Sequence, residues 1–354
     1  MNEQVTSQAE SADGIYSRAA EGAYTIPPEL KRIRKTRTSS NLSWIVNPEA
    51  VGLDLDNWQS DPSRIIYHGG KYHMWMIDMD RTRCAEAREW SDPHFFETPE
   101  GRDFRPDSSR ILYLSSQDTH HWTAHGHLPL GPEGSCYDLV LEQVNVVFHE
   151  GKFYLFTEVW TTNVEKYGYR PVGIACLMAD SPEGPWTKPP GVDVLITPEH
   201  DGESWDSNRV LNPRHVQLNG KWLMYYKGGK DGPTQNGLAI ADTITGPYRK
   251  IDGNPIMIGH GHFCWRYKHG MLMIPNYDFD EDARWIHWSE DGIHFAPIQK
   301  SPDVFLFGSL YVPYDPMFGE PQTAGPTTEF WGFETVKSSS GRDWDVQRIE
   351  WRLG

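Results

Sequence analysis

An all-β, five-bladed β-propeller is the fold class this sequence predicts, and three observations predict it. A turn followed by an alternating, aromatic-rich strand recurs as HGGKYHMWMID from His68, HEGKFYLFTEV from His149, LNGKWLMYYKG from Leu218 and YKHGMLMIPN from Tyr267. A polar turn closed by an aromatic recurs as SSQDTHHW from Ser115, ADSPEGPW from Ala179, ADTITGPY from Ala241, SEDGIHF from Ser289 and SSSGRDW from Ser338. The starts of this second signal lie 64, 62, 48 and 49 residues apart. A period of roughly 50–60 residues with several short strands per unit is the mark of propeller blades.

The elements follow in chain order. Residues 1–42 predict a short helical or extended arm, suited to docking on a partner subunit. SQAESADGIYSRAAEGAY favours helix by propensity. IPPEL interrupts it at Pro27 and Pro28, and ELKRIRKTR reads as a second short helix. The basic run at 31–37 reads as a solvated surface of that arm. Residues 43–354 read as one propeller domain, with blades near 58–122, 138–186, 205–248, 260–295 and 303–351. Each is punctuated by Gly, Pro, Asn and Asp turns. Two polar, Pro-rich stretches, 82–109 and 309–328, predict long loops over a face. The last strand, DVQRIEWRLG, is expected to pair with residues near 43–46 and close the ring.

Composition removes several function classes. The net charge is −16, the opposite of a nucleic-acid footprint. The four cysteines, Cys84, Cys136, Cys176 and Cys264, form no CxxC pair. Neither a zinc site nor a disulfide framework is indicated. Cys176 and Cys264 fall in apolar strand patterns and read as buried thiols. The first 25 residues hold no apolar signal core, and no run approaches 18 apolar residues. A cytoplasmic enzyme without membrane contact is expected. With 15 Trp, 16 Tyr and 14 Phe, the chain has aromatics for strand packing and for stacking sugar rings.

A propeller aims one set of residues from every blade at its axis, so ionisable groups just before the repeated hairpins are the candidates for chemistry. Asp61 precedes the first hairpin, Glu142 the second, Asp206 the third, and His260 and His262 the fourth. Two carboxyl groups across a pocket suit glycoside hydrolysis, one activating water and the other managing a proton. A histidine can take the proton donor's place if a nearby carboxylate holds its pKa up; Asp206 is the candidate for that support. Around the sugar, Gln143, Arg64, Trp75, Trp205, Asn208, His215, Lys227 and Trp265 are expected to make contacts, with the three tryptophans as pocket walls. The His260 and His262 pair lacks a third ligand, so no metal centre is expected. No cofactor is required, although a structural divalent cation near the axis is compatible with the pattern. No nucleophile elbow, P-loop or dinucleotide fingerprint is present.

At these residues the chain resembles the five-bladed glycosidases, and most closely glycoside hydrolase family 117, the exo-acting α-1,3-(3,6-anhydro)-L-galactosidases. The resemblance spans about residues 40–300. It is carried by DPSRII at Asp61, WDSNRVLNP around Asp206 and GHGHFCWRYKHG. It implies an inverting mechanism with Asp61 as general base, Asp206 as assisting carboxylate and His262 or His260 as general acid, with Glu142 on sugar hydroxyls. It also implies an oligosaccharide substrate derived from agar and a homodimer formed through the arm. The family's arm marker, Ser-x-Ala-x-x-Arg, is only partly matched by SRAAEG from Ser17. NPRH at Asn212 departs from the Asp-Pro of the broader superfamily. The alternatives are a propeller glycosidase of arabinofuranosidase or galactosidase type, with Glu142 or Glu203 as acid, and a non-catalytic sugar-binding propeller.

Overall fold

The computed structural model describes residues 26–31, 33–37, 45–55, 57–79, 109–168, 171–229, 235–259, 261–276, 285–300, 307–327, 329–337 and 344–353. Five antiparallel sheets make five blades. Blade one holds β2 (Trp58–Ser60), β3 (Ile66–His68), β4 (Lys71–Met79), β5 (Ser109–Ser116) and β6 (Thr123–His127). Blade two holds β7 (Val140–His149), β8 (Lys152–Trp160) and β9 (Gly173–Ala179). Blade three holds β10 (Arg209–Leu218), β11 (Lys221–Gly229), β12 (Gln235–Ala241), β13 (Arg249–Lys250) and β14 (Met257–Ile258). Blade four holds β15 (Gly261–Tyr267), β16 (Gly270–Asn276), β17 (Trp285–Ser289) and β18 (Ala296–Lys300). Blade five holds β19 (Phe307–Tyr311), β20 (Glu329–Lys337), β21 (Trp344–Leu353) and, from the start of the chain, β1 (Ile33–Arg37).

Both repeated signals have a structural cause. The first is the hairpin between the two inner strands of a blade. Its two turn residues carry positive φ in three blades: Gly69 and Gly70, Glu150 and Gly151, Asn219 and Gly220. That is the backbone twist a two-residue hairpin needs. The second signal delivers an aromatic into the seam between blades. Trp122, Trp186, Tyr248 and Phe295 are all buried, and the outermost strand begins after this aromatic in blades one, three and four. The predicted blades one, three and four therefore stop short of their outermost strands.

An aromatic pair spans each of the five seams. Trp75 meets Trp186 between blades one and two, and His149 meets Trp222 between two and three. Tyr225 meets Phe295 between three and four, and Trp265 meets Phe330 between four and five. Trp122 meets Phe333 between five and one. Such contacts contribute roughly 0.5–1.5 kcal/mol each beyond buried area. Cys136, Cys176 and Cys264 are buried free thiols, as expected for the last two; Cys84 lies outside the described residues.

The ring closes differently from the expected pairing. β21 pairs with β1, Ile33 opposite Leu353 and Arg37 opposite Ile349, while Ile45 makes a single parallel bridge to Trp122 in blade one. The segment that read as helix and solvated basic surface is thus a one-turn 3-10 helix, Pro28–Lys31, followed by a strand. An exposed strand edge is a strong acceptor for another strand, and β21 outweighs local helix propensity. Glu29 fixes this segment to blade four by accepting a hydrogen bond from Tyr267 at 2.7 Å and pairing with Lys268. The expected helix before Pro27, the dimer marker at Ser17 and nearly all of the 82–109 loop lie outside the described residues. Among the described residues, no helix is long and apolar enough to cross a membrane.

Of the predicted 309–328 loop, the described residues 309–327 pack against the ring. Pro316–Phe318 forms a 3-10 turn, Glu320 donates its backbone N–H to Tyr67 at 2.8 Å, and Phe318 is buried. Gly319, at φ 101°, passes so close to the Tyr67 carbonyl that a Cβ would sit 1.9 Å from its oxygen. The segment also reaches inward, where the Phe318 ring lies 4.4 Å from the Arg64 guanidinium carbon.

Candidate active site

The innermost strands of blades one, two and three share one irregularity. Asp61, Gln143 and Asn212 have φ of 50°, 51° and 56°. The β7–β8 ladder slips between Glu142 and Asn145, and the β10–β11 ladder between Leu211 and Arg214. In blade one the break falls between β2 and β3. A bulge of this kind re-aims side chains and is common beside active sites. Asp and Asn tolerate the left-handed region better than most residues. Pro213 is accommodated because a bulge does not need its missing N–H.

Asp61 is 6% exposed. Ser60 Oγ donates to its Oδ2 at 2.8 Å, while its Oδ1 is buried and accepts no hydrogen bond among the described residues. Burial pushes this carboxyl up to about 6, against the opposing pull of the Ser60 hydroxyl and the Arg214 and Lys227 cations. At neutral pH it is a carboxylate with one oxygen ready to accept a proton.

Glu142 lies directly opposite Glu158 across the β7–β8 ladder. Side chains so paired share one face of the sheet. Glu158 is 1% exposed and its Oε1 is without a hydrogen-bond partner among the described residues. Burial, then the Glu158 charge, pushes Glu142 up to about 8; Arg209 opposes this and the Asp61 charge adds to it. Burial also raises Glu158, against Arg209 and Lys227. The pair holds a proton at neutral pH. Glu158, Arg209 and Arg214 were not among the sequence candidates. A charge inside the apolar run FYLFTEVW was the available signal for Glu158.

Asp206 is engaged elsewhere. Its Oδ2 accepts a hydrogen bond from Tyr226 at 3.1 Å and pairs with Lys250 at 2.7 Å. Both partners sit further out in blade three, and Lys250 also pairs with Glu199. Trp205 lies flat in a slot made by Gly228 and Gly237, where a Cβ would come 2.1 and 2.5 Å from its ring. Residues 205 and 206 thus anchor the entry into β10. Lys250→Met leaves a carboxylate that is 1% exposed with one neutral donor. We expect it to cost about 3–5 kcal/mol, measured as a lower urea midpoint.

The remaining sequence candidates divide. Arg64 crosses the ring from blade one, Nη2 donating to the carbonyls of His215 at 2.7 Å and Cys264 at 3.4 Å. Lys227 is 5% exposed and bears electrostatically on both Asp61 and Glu158. Gln143 forms the blade-two bulge, and Asn208 is partly exposed just before β10. Three expected sugar contacts are buried in packing instead. Trp75 stacks on Tyr113 at 5.3 Å, Trp265 packs on Phe330, and His215 stacks on Phe156 at 3.6 Å. Both faces of a propeller blade are covered, so an aromatic on an inner strand meets its neighbour blade as readily as the pocket. His260 lies outside the described residues. His262 is in β15, its backbone opposite Pro275, and its side chain is not among those described.

The axis does not fit a cation. A cavity of about 20 Å³ is lined from all five blades, including Arg64, Asn145, Arg214, Phe263 and Ser309. Two guanidinium groups repel a divalent ion. Among the described residues no three acidic, His or Cys side chains converge to hold a metal.

No protein-family model matches the chain, and no curated protein matches it. Solved structures do match. A family 117 glycoside hydrolase from the marine bacterium Zobellia galactanivorans superposes with a TM-score of 0.64 and 21% identity, over 92% of this chain and 91% of that one. The catalytic domain of a Coprinopsis cinerea family 62 α-L-arabinofuranosidase gives 0.52 and 11% identity, over 83% and 90%. A further glycoside hydrolase gives 0.53 and 11% identity, over 96% and 94%. The fold is that of these propellers. The fold expected from the repeats and from the family resemblance is the one observed.

Proposed function

We propose that this chain is an inverting exo-glycoside hydrolase of the family 117 type, releasing terminal 3,6-anhydro-L-galactose from agar-derived oligosaccharides. The observation that carries the hydrolase reading is the split between Asp61, buried and near 6, and the half-buried Glu142, which burial and the Glu158 charge push up to about 8. Groups whose environments push them apart in this way can serve as base and acid at one pH. Asp61 takes a proton from the attacking water through Oδ1. Glu142 gives its proton to the departing glycosidic oxygen, with Glu158 holding that proton in place beforehand. Arg209 and Lys227 limit the build-up of negative charge. The resemblance in sequence assigns the donor role to His262 or His260 instead, so His262→Ala and His260→Ala belong beside the Glu142 variant.

The substrate reading rests on the DPSRII, WDSNRVLNP and GHGHFCWRYKHG segments together with the family 117 likeness over 92% of the chain. Incubation with neoagarobiose, followed by mass analysis and proton NMR of the first product, tests it. Free galactose and anhydrogalactose, the latter released with inverted anomeric configuration, are expected. Turnover of aryl arabinofuranosides with neoagarobiose left intact favours the arabinofuranosidase alternative. Tight binding with no reducing sugar released favours the binding propeller.

A further inference from the structure

The cavity on the ring axis holds a feature that the catalytic reading does not use. Arg64 and Arg214 line it, and each is 5% exposed. Nη2 of Arg64 is committed to two carbonyls, but its Nη1 is buried and has no hydrogen-bond partner among the described residues. Arg214 Nη1 donates to the carbonyls of Pro213 at 3.0 Å and Val144 at 3.4 Å. Neither guanidinium hydrogen-bonds a carboxylate among the described residues. The groups that bear on them are only partly committed. The Cys264 thiol and then Asp315 bear on Arg64, and Asp315 gives Oδ1 to Arg266 at 2.6 Å; Asp61 bears on Arg214 and gives Oδ2 to Ser60.

Two buried guanidinium groups line one hole, neither hydrogen-bonded to the carboxylate that bears on it, and one N–H donor is unused. Buried charges are ordinarily paired. The hole decides the size of the missing partner: about 20 Å³ admits one water-sized particle. Sulfate or phosphate is too large. We propose that the axial cavity binds a single monatomic anion of the chloride class, held by Arg64 Nη1 and the Arg214 guanidinium. Ser309, from blade five, lines the same cavity. The ion neutralises the two guanidinium groups that tie the inner strands together, Arg64 joining blade one to three and four, and Arg214 joining three to two.

The test compares the purified full chain in sodium chloride and in sodium gluconate at matched ionic strength. The melting temperature is expected to be about 3 °C or more higher in saturating chloride, with Arg64→Met removing that difference. A crystal grown in sodium bromide is expected to show one anomalous peak within hydrogen-bond reach of Arg64 Nη1. Equal melting in both salts, or no bromide peak beside Arg64 Nη1, overturns the proposal: the cavity then holds water, or, where a peak appears without a melting difference, an adventitious ion only. If Arg64→Met does not fold, the wild-type salt comparison and the bromide peak decide alone.

Discussion

Asp61→Asn is expected to lower turnover by about 10²–10⁴-fold, the range for loss of a positioned general base, and to leave the fold intact. The second part follows from the same environment as the first. Asp61 is 6% exposed and its carboxyl is raised to about 6, so burial makes the charge unfavourable. A neutral amide of the same shape removes that penalty. Asn also tolerates the φ of 50° found here. Thermal melting should therefore be equal to or above that of the parent. A variant that melts normally yet turns over normally removes Asp61 from the mechanism.

Glu142→Gln is expected to lower turnover of natural linkages by about 10²–10⁴-fold. The loss should shrink sharply on an aryl glycoside, whose leaving group departs without a proton. That difference separates a proton donor from a residue that only binds hydroxyls, because loss of a binding contact weakens both substrates alike. His262→Ala and His260→Ala, run on the same two substrates, show whether an imidazole carries the proton instead. Equal losses for Glu142→Gln on both substrates would return Glu142 to the binding role first expected for it.

The architecture was legible because its signals are local. A two-residue turn such as Asn219–Gly220 and an aromatic after a polar turn such as Trp186 repeat with the blade, and each has one structural meaning. The kink at Asp61 was legible for a related reason: an Asp-Pro step is turn chemistry, and the inner strand breaks there. What was not legible depends on contacts distant in sequence. The residues of β1 look basic and helical until β21, more than 300 residues later, offers them an edge. The hold of Tyr226 and Lys250 on Asp206 could not be read from its own segment, since both partners come from later strands. Trp75 and Trp265 alternate correctly for strands, but period-two alternation does not say whether a face meets a pocket or a neighbouring blade. Glu158 was overlooked because its importance comes from facing Glu142 across the ladder.

The central claim is a base and an acid kept in opposite protonation states by one site. It is tested most directly by the pH dependence of kcat/KM, measured on a glycoside the chain turns over, for the parent and for Glu142→Gln. The base must be deprotonated, so the rate should rise with pH through about 6; the donor must be protonated, so it should fall through about 8. The account predicts a bell for the parent, and for Glu142→Gln a low rate that keeps the rise near 6 and loses the fall near 8. A fall near 8 that survives in Glu142→Gln would contradict it.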